Sequence, residues 1–463
     1  MSHTPSGGVS QMDLVREAFH YQSRFAGSTM VFKIDFPLTA EPAFPSLMRD
    51  LALLAQTGFR VVVVPGAKEW IDAVLTEYGV VSQYVPSEVH GPLRVTGAKA
   101  IGFVEMAAFH VATRFMTALS ANRRDSVVGN FVRARGLGVI AGRDMENTGR
   151  VEKILIKPMG RVLDLGMIPV LPCIGWGPSG RPYNVPSDEI ALAAAAALGA
   201  VKLFVVSAGK GLAGGGLRIP PGVETGGEGR IVRLTPREAE AVLELNAAAA
   251  PDGREPPEGP VDGAALTGLR LAVAASRAGV ERVHIIDGRE EGAVLRELFS
   301  NLGAGTMVYA DEYEAIRPLK TADIPDVLRF MEPLMRRGVL VRRTAEDIQE
   351  RKEDYRVFGI DGQAHACGAL HRWDDAPGPD QGEIAAVAVD SAYADMGLGS
   401  RLVRFLINKA AKEGLRRVFV LTTATQDWFE ALGFRESGVD TLPASRRKTY
   451  NPERKSKVFA LDL

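Results

Sequence analysis

The sequence predicts an α/β protein built in two parts, and three observations carry that expectation. Between residues 29 and 287, short unbroken apolar runs alternate with stretches of helical spacing. That is the pattern of a mostly parallel sheet covered on both faces. Further on, an apolar strand at 384–389 leads into Gly397-Leu398-Gly399, which opens an amphipathic helix. The length of 463 residues suits two or three domains of roughly 100–200 residues each.

Bulk properties exclude several function classes. Composition is that of an ordinary globular chain, with 46% apolar and 24% charged residues. A net charge of −1 gives no reason to expect a nucleic acid or a membrane surface as partner. Cys173 and Cys367 form neither a disulfide framework nor a metal cluster, and no histidine pair has zinc-ligand spacing, so no metal is expected. No apolar window is long enough to span a bilayer, and residues 1–8 read as a floppy tail, so a cytoplasmic protein is expected.

Taken in order, residues 14–25 have helical apolar spacing (Leu14, Val15, Phe19, Tyr21, Phe25), a face to bury either on its own domain or on a neighbouring subunit. A strand at 29–34, a helix at 45–57, a strand at 60–64 ending in Pro65-Gly66 and a helix at 69–78 follow. Next come a strand at 137–141, an apolar run at 168–173, an alanine-rich helix at 188–198 and a strand at 201–206. The glycine-rich stretch 209–216 lacks the G-x-x-x-x-G-K-[ST] order of a phosphate loop and reads as a flexible turn. A proline-, glycine- and acid-rich loop at 251–262 precedes a helix at 264–278 and a strand at 282–287, expected to be the last of this part.

Residues 303–312 are expected to bridge to the second part, which begins at 316–318. Residues 321–326 read as a helix start with carboxylates near the positive end of its dipole. Strands at 357–360 and 365–370 and a polar turn at 371–382 lead to the strand 384–389. The glycine turn after it supplies unpaired N–H groups at a helix start, a natural phosphate cradle. Leu402, Val403, Phe405, Leu406, Ala410 and Ala411 form the helix's apolar face, and Gly414 stops it. A strand at 417–421 and Trp428-Phe429-Glu430-Ala431-Leu432-Gly433-Phe434 follow.

Strand, glycine turn, helix, strand and a short helix ending in Gly-Phe resemble the GNAT acetyltransferases. That resemblance implies acetyl-CoA as cosubstrate, bound in the splay between two strands. Gly397, Gly399 and Ser400 would hold its pyrophosphate, and backbone N–H groups of Val387, Ala388 and Val389 its thioester carbonyl. The family signature places Arg or Gln three residues before the first glycine; here that residue is Ala394. The tail, Leu442-Pro443-Ala444-Ser445-Arg446-Arg447-Lys448-Thr449-Tyr450-Asn451 with Arg454-Lys455-Ser456-Lys457-Val458, resembles the C-terminus of the N-acetylglutamate synthases. This implies L-glutamate as acceptor, with Leu340 (backbone), Arg342, Arg454 and Ser456 around it. Guanidinium grips carboxylate bidentately, which suits both arginines to that task. The acceptor's ammonium must lose a proton before it attacks. Glu383, at the start of the strand, reads either as that base or as a plain strand-edge carboxylate. Tyr450 reads either as the acid for the departing thiolate or as packing for the tail.

The first part resembles the amino acid kinase fold, in its acetylglutamate kinase branch, through Val31-Phe32-Lys33-Ile34, Leu93-Arg94-Val95-Thr96, Tyr183-Asn184 with Asp188, and Glu297 through Thr306. It implies a three-layer sandwich over 1–312, ahead of a GNAT α+β domain over 313–463. Where working kinases carry phosphate-cradling glycines, this chain has Asp35-Phe36 and Pro65-Gly66-Ala67, and the late lysine aligns with Gly268. Phosphoryl transfer needs positioning and charge neutralisation together. The resemblance therefore implies a regulatory domain, with L-arginine as effector at Tyr21, His284, Glu297, Gly303 and Gly305, and a homo-oligomer assembled through this domain. Two alternatives stay open: a bifunctional synthase-kinase, and an arginine-binding regulator with a vestigial acetyltransferase.

Overall fold

The computed structural model describes residues 22, 25–86, 92–209, 211–212, 217–221, 223, 225, 230–246, 263–299, 305–309, 314–360, 363–373, 380–391, 393 and 397–463. The chain separates into two compact units, Met1–Ala310 and Asp311–Leu463.

The first unit is organised on an eight-stranded sheet. Its strands are β1 (Thr29–Ile34), β2 (Arg60–Pro65), β3 (Ser126–Val128), β4 (Ile168–Val170), β5 (Lys202–Ser207), β6 (Arg233–Leu234), β7 (Arg282–Asp287) and β8 (Thr306–Tyr309). They lie in the order β6-β8-β7-β5-β1-β2-β4-β3. Every pair is parallel except β7 with β8. The central strands are apolar on both faces because both are covered. On β1, Met30, Phe32 and Ile34 enter one core while Val31 enters the other. The first core takes helices α1 (Phe44–Gln56), α2 (Lys68–Glu77), α3 (Ile101–Ala121) and α6 (Ala293–Phe299). The second takes α4 (Ser187–Ala197) and α5 (Gly263–Arg277). This is a three-layer sandwich, as expected.

Several details differ from the expectation. The strand read at 137–141 is only the two-residue arm Val139–Ile140 of a tight hairpin, and the longer strand lies earlier, at Val132–Gly136, because Gly138, Ala141 and Gly142 all take positive φ and turn the chain. The apolar run 168–173 is not one strand: it leaves the main sheet after Val170, and Ile174–Trp176 joins a separate four-stranded sheet. The strand 282–287 is not the last, since β8 follows it antiparallel and occupies part of the expected bridge. Helix α3, unpredicted, buries Val104, Ala108, Val111, Phe115 and Leu119, a stripe at three- and four-residue spacing.

The second unit is a seven-stranded sheet of β9 (Glu314–Pro318), β10 (Tyr355–Ile360), β11 (Gln363–Trp373), β12 (Gln381–Val389), β13 (Arg417–Thr422), β14 (Arg435–Ser437) and β15 (Lys457–Asp462). The order is β9-β10-β11-β12-β13-β15-β14, with β12 and β13 its parallel pair. Helix α7 (Ile324–Arg336) packs on one face; α8 (Leu398–Lys412) and α9 (Gln426–Ala431) pack on the other. The expected polar turn at 371–382 is shorter than read, because β11 runs to Trp373 and β12 begins at Gln381. The tail folds back through a short helix, α10 (Ala444–Lys448), into β15. Among the described residues no helix is long and apolar enough to cross a membrane.

Candidate active site

The site in the second unit is made by two parallel strands that part company. Strands β12 and β13 pair only at Gln381↔Arg417, Gly382↔Val418 and Glu383↔Phe419, although both continue. Beyond Glu383, among the described residues, β12 is bonded on its β11 side alone, and there the register shifts between Cys367 and Ala369. The cause sits at Ala386, whose φ of 55° is left-handed, a conformation that costs a non-glycine residue about 1 kcal/mol. The Cys367 thiol donates to the Ala386 carbonyl at 3.3 Å, and burial pushes that thiol up to about 12, so it remains a donor. The resulting bulge turns Val387–Val389 away from β13, leaving backbone along the gap.

Next to the gap lies the start of α8. Gly397 caps it at φ 67°, where a side chain would be strained, and Leu398 and Gly399 are buried. A Cβ on Gly399 would stand 3.3 Å from Val389 and 3.4 Å from Trp428, so the turn nests against the end of β12 and helix α9. The first N–H groups of α8, including those of Gly399 and Ser400, have no partner within the helix. The geometry is that of an anion cradle beside an open strand edge.

Glu383, at the last paired position of β12, is buried and held by Arg446 of α10. Arg446 Nε donates to Oε2 at 2.7 Å and Nη2 to Oε1 at 3.0 Å. Tyr450 donates its hydroxyl to the Ser456 carbonyl at 2.9 Å, closing the tail on itself. Arg454 Nη2 donates to the carbonyls of Gly338 and Val339 at 3.0 and 3.2 Å, which brings it to the segment containing half-buried Leu340. Arg342 stands exposed on that segment, and Ser456 is buried at the start of β15. Sequence reading missed the Arg446 partnership. Its one signal was a basic run following an apolar strand that begins with a lone carboxylate.

In the first unit, His284 and Glu297 meet in a buried chain of polar groups. Lys202 Nζ lies 3.2 Å from His284 Nε2, and His284 Nδ1 lies 2.6 Å from Glu297 Oε1. Glu297 Oε2 also accepts the Gly305 N–H at 2.9 Å. A lysine on one side and a carboxylate on the other place the ring proton on Nδ1 and keep the ring neutral. Burial, then the Lys202 charge, pull the imidazole down to about 4 against the pull of Glu297. The ring stacks on Phe204 with centroids 4.8 Å apart. Tyr21, Gly303 and Ala394 lie outside the described residues.

A cavity of about 460 Å³ opens at the C-terminal ends of β1, β2 and β5, lined among others by Lys33, Asp35, Arg94, Asn184 and Asp188. Lys33 is bound by Asp35 at 2.7 Å and by Asp188 at 2.9 Å. Burial alone would lower the Lys33 ammonium, but the two carboxylates overcome it and hold it above the usual lysine range. Arg94 is paired with Asp72. Gly268 packs against Val205 and Ile285 with no cation in its place.

Comparison with known proteins fits this geometry. The sequence matches the amino acid kinase family over residues 35–287 and the GNAT acetyltransferase family over residues 326–434. The amino-acid acetyltransferase of Azotobacter vinelandii is 34% identical over 457 residues, covering 96% of this chain and 98% of that protein. That of Pseudomonas aeruginosa is 33% identical over 459 residues, covering 97% and 98%. Among solved structures, N-acetylglutamate synthase from Neisseria gonorrhoeae, complexed with coenzyme A and L-arginine, superposes with a TM-score of 0.81 at 31% identity, covering 98% of this chain and 100% of that one. The same enzyme complexed with coenzyme A and N-acetyl-glutamate gives 0.59. Fold and site thus define an acyltransferase of the GNAT class joined to an amino acid kinase-like unit. More narrowly, the chain belongs to the amino-acid acetyltransferase family, the N-acetylglutamate synthases.

Proposed function

We propose that this protein transfers the acetyl group of acetyl-CoA to the α-amino group of L-glutamate, giving N-acetyl-L-glutamate, and that L-arginine regulates it through the first unit. The observation that carries the reading is the parting of β12 from β13 beside a glycine-capped helix start, with Glu383 at the fork. In this reading Gly397, Gly399 and Ser400 hold the CoA pyrophosphate, and the backbone of Val387–Val389 receives the charge that develops on the thioester oxygen. Glu383 takes the ammonium proton, directly or through a water, and Tyr450 protonates the thiolate. Leu340, Arg342, Arg454 and Ser456 hold the glutamate carboxylates.

The kinase-like domain, residues 1–312, serves as sensor, and residues 313–463 carry the chemistry. L-Arginine binds at Tyr21, His284, Glu297, Gly303 and Gly305, and copies of the chain associate through this domain in the cytoplasm. Two features disfavour a second, kinase activity. Lys33 is already paired with both Asp35 and Asp188, and Asp35 stands where a transferred phosphate would add like charge.

Thiol release from acetyl-CoA tests the reading. Release that depends on L-glutamate and changes with L-arginine is expected. Glutamate-dependent release untouched by arginine keeps the synthase and removes the sensor. Arginine binding without any release points instead to a regulator with a vestigial acetyltransferase.

A further inference from the structure

The tail arginine Arg446 lies 63 positions from Glu383 in the chain, yet its guanidinium meets both carboxylate oxygens, at 2.7 and 3.0 Å. Its side chain is 17% exposed and that of Glu383 is 9% exposed. Two further contacts fix it: Nη1 donates to Thr449 Oγ1 at 3.1 Å, and the guanidinium lies 5.9 Å from the centre of the Trp373 ring. An arginine on a five-residue basic helix is normally solvated; this one is turned inward and clamped. Among the described residues, both hydrogen bonds to the Glu383 carboxylate come from Arg446.

We propose that Arg446 is a positioning residue for acetyl transfer, locking the plane of the Glu383 carboxylate so that its free lone pairs face the acceptor amine. The inference rests on the reading of Glu383 as base. A carboxylate offers about four acceptor positions, and a fork-to-fork pair uses two of them. The other two point away from the guanidinium. A carboxylate free to rotate presents them in many directions; a clamped one presents them in one, which is the entropic part of catalysis.

The glutamate ammonium gives one proton to Glu383, and the neutral amine attacks the thioester carbonyl carbon. The C–N bond forms and the C–S bond breaks. The sulfur leaves with its electron pair and takes a proton from Tyr450, which recovers the one the nitrogen sheds in becoming an amide. Glu383 then returns its proton to solvent, and Arg446 keeps its charge throughout.

The experiment is a double-mutant cycle on glutamate-dependent thiol release, using wild type, R446M, R446K, E383Q and R446M/E383Q. A correctly placed base contributes about 10²–10⁴-fold. R446M is therefore expected to lower kcat by about 100-fold while the acetyl-CoA KM stays within about twofold, and R446K to recover part of the loss with a single, non-forked donor group. The double variant is expected to be no slower than E383Q alone, because a clamp has nothing left to position once its carboxylate is gone. An unchanged acetyl-CoA KM reports intact folding; if R446M does not fold, R446K and R446K/E383Q complete the same cycle. A kcat for R446M within twofold of wild type, or single losses that multiply in the double variant, overturns the inference while leaving the synthase reading in place. Wild-type protein without glutamate-dependent release overturns both.

Discussion

The Lys202–His284–Glu297 chain makes a quantitative prediction about acid. His284 is held near 4 in the folded protein against an ordinary value of 6.5. A depressed histidine stabilises the fold fully above its unfolded value, and that stability is lost as pH falls from about 6.5 toward 4. Between pH 7.5 and 5, the difference in proton uptake removes on the order of 2 kcal/mol, about thirtyfold in an unfolding equilibrium. Asp50, raised by burial to about 6, and Glu189, raised by burial to about 7, act in the opposite sense. They take up protons in the folded state and add stability over the same interval, so a melt of the wild type alone mixes the three. Comparison with His284→Asn separates them. Asparagine keeps a donor near the Nδ1 position for Glu297 but does not titrate.

The assay is hydrogen exchange of the peptide spanning β7, read at pH 7.5 and at pH 5 in both chains. At pH 7.5 the variant is expected to exchange faster, having lost the stacking on Phe204 and the acceptor for Lys202. At pH 5 the ratio of the two rates is expected to shrink by about thirtyfold, because only in the wild type does the unfolded chain gain an imidazole proton that the folded state refuses. An equal ratio at both pH values would refute the assignment of a neutral His284 between a lysine and a carboxylate.

Three further outcomes follow from local geometry. Gly382→Ala puts a Cβ 2.8 Å from both Leu370 and Leu415, so urea unfolding of the second unit should show a loss of about 1–3 kcal/mol. Gly397→Ala forces a side chain onto φ 67° at the α8 cap, at a cost of about 1 kcal/mol, and should raise the acetyl-CoA KM several-fold with the glutamate KM unchanged. Arg454→Met removes one charged donor from the proposed glutamate pocket, and since such a bond contributes about 1.5–3 kcal/mol, the glutamate KM should rise about 10- to 100-fold with the acetyl-CoA KM unchanged.

What could be read from the sequence followed burial and short range. Strands β1, β2, β5 and β7 and helices α1, α2, α4 and α5 came out within a residue or two, because two-sided burial writes continuous apolar runs and one-sided burial writes helical stripes. Helix α3 escaped notice: its many alanines and apolar residues blur the stripe, and no capping side chain marks its start. The misplaced strand at 137–141 shows the opposite failure. Its apolar letters sit on a tight hairpin, while the true strand Val132–Gly136 alternates arginine with apolar residues. The glycine turn of the second unit was legible because backbone must come close there, whichever residues surround it. The bulge was not, since nothing in the letters distinguishes Ala386 from its alanine neighbours. Nor were the partnerships of Glu383 with Arg446 and of Lys202 with His284, separated by 63 and 82 positions, because pairing at that range is decided by the fold.

The double pairing of Lys33 bears on how this protein can change. Replacing Asp35 by glycine would reopen room for a phosphate but would also strip a buried ammonium of one of its two anions. The intermediate chain would be less stable before it gained any new chemistry. Gly268 lines the same cavity, with Val205 and Ile285 at 3.4 Å from where a Cβ would stand, so the late lysine is a further substitution the site would need. Phosphoryl transfer in this unit would therefore require several substitutions together. On the proposed reading the first unit works as a ratchet: its charges have closed on one another, and the chain is more easily kept as a sensor than turned into a kinase.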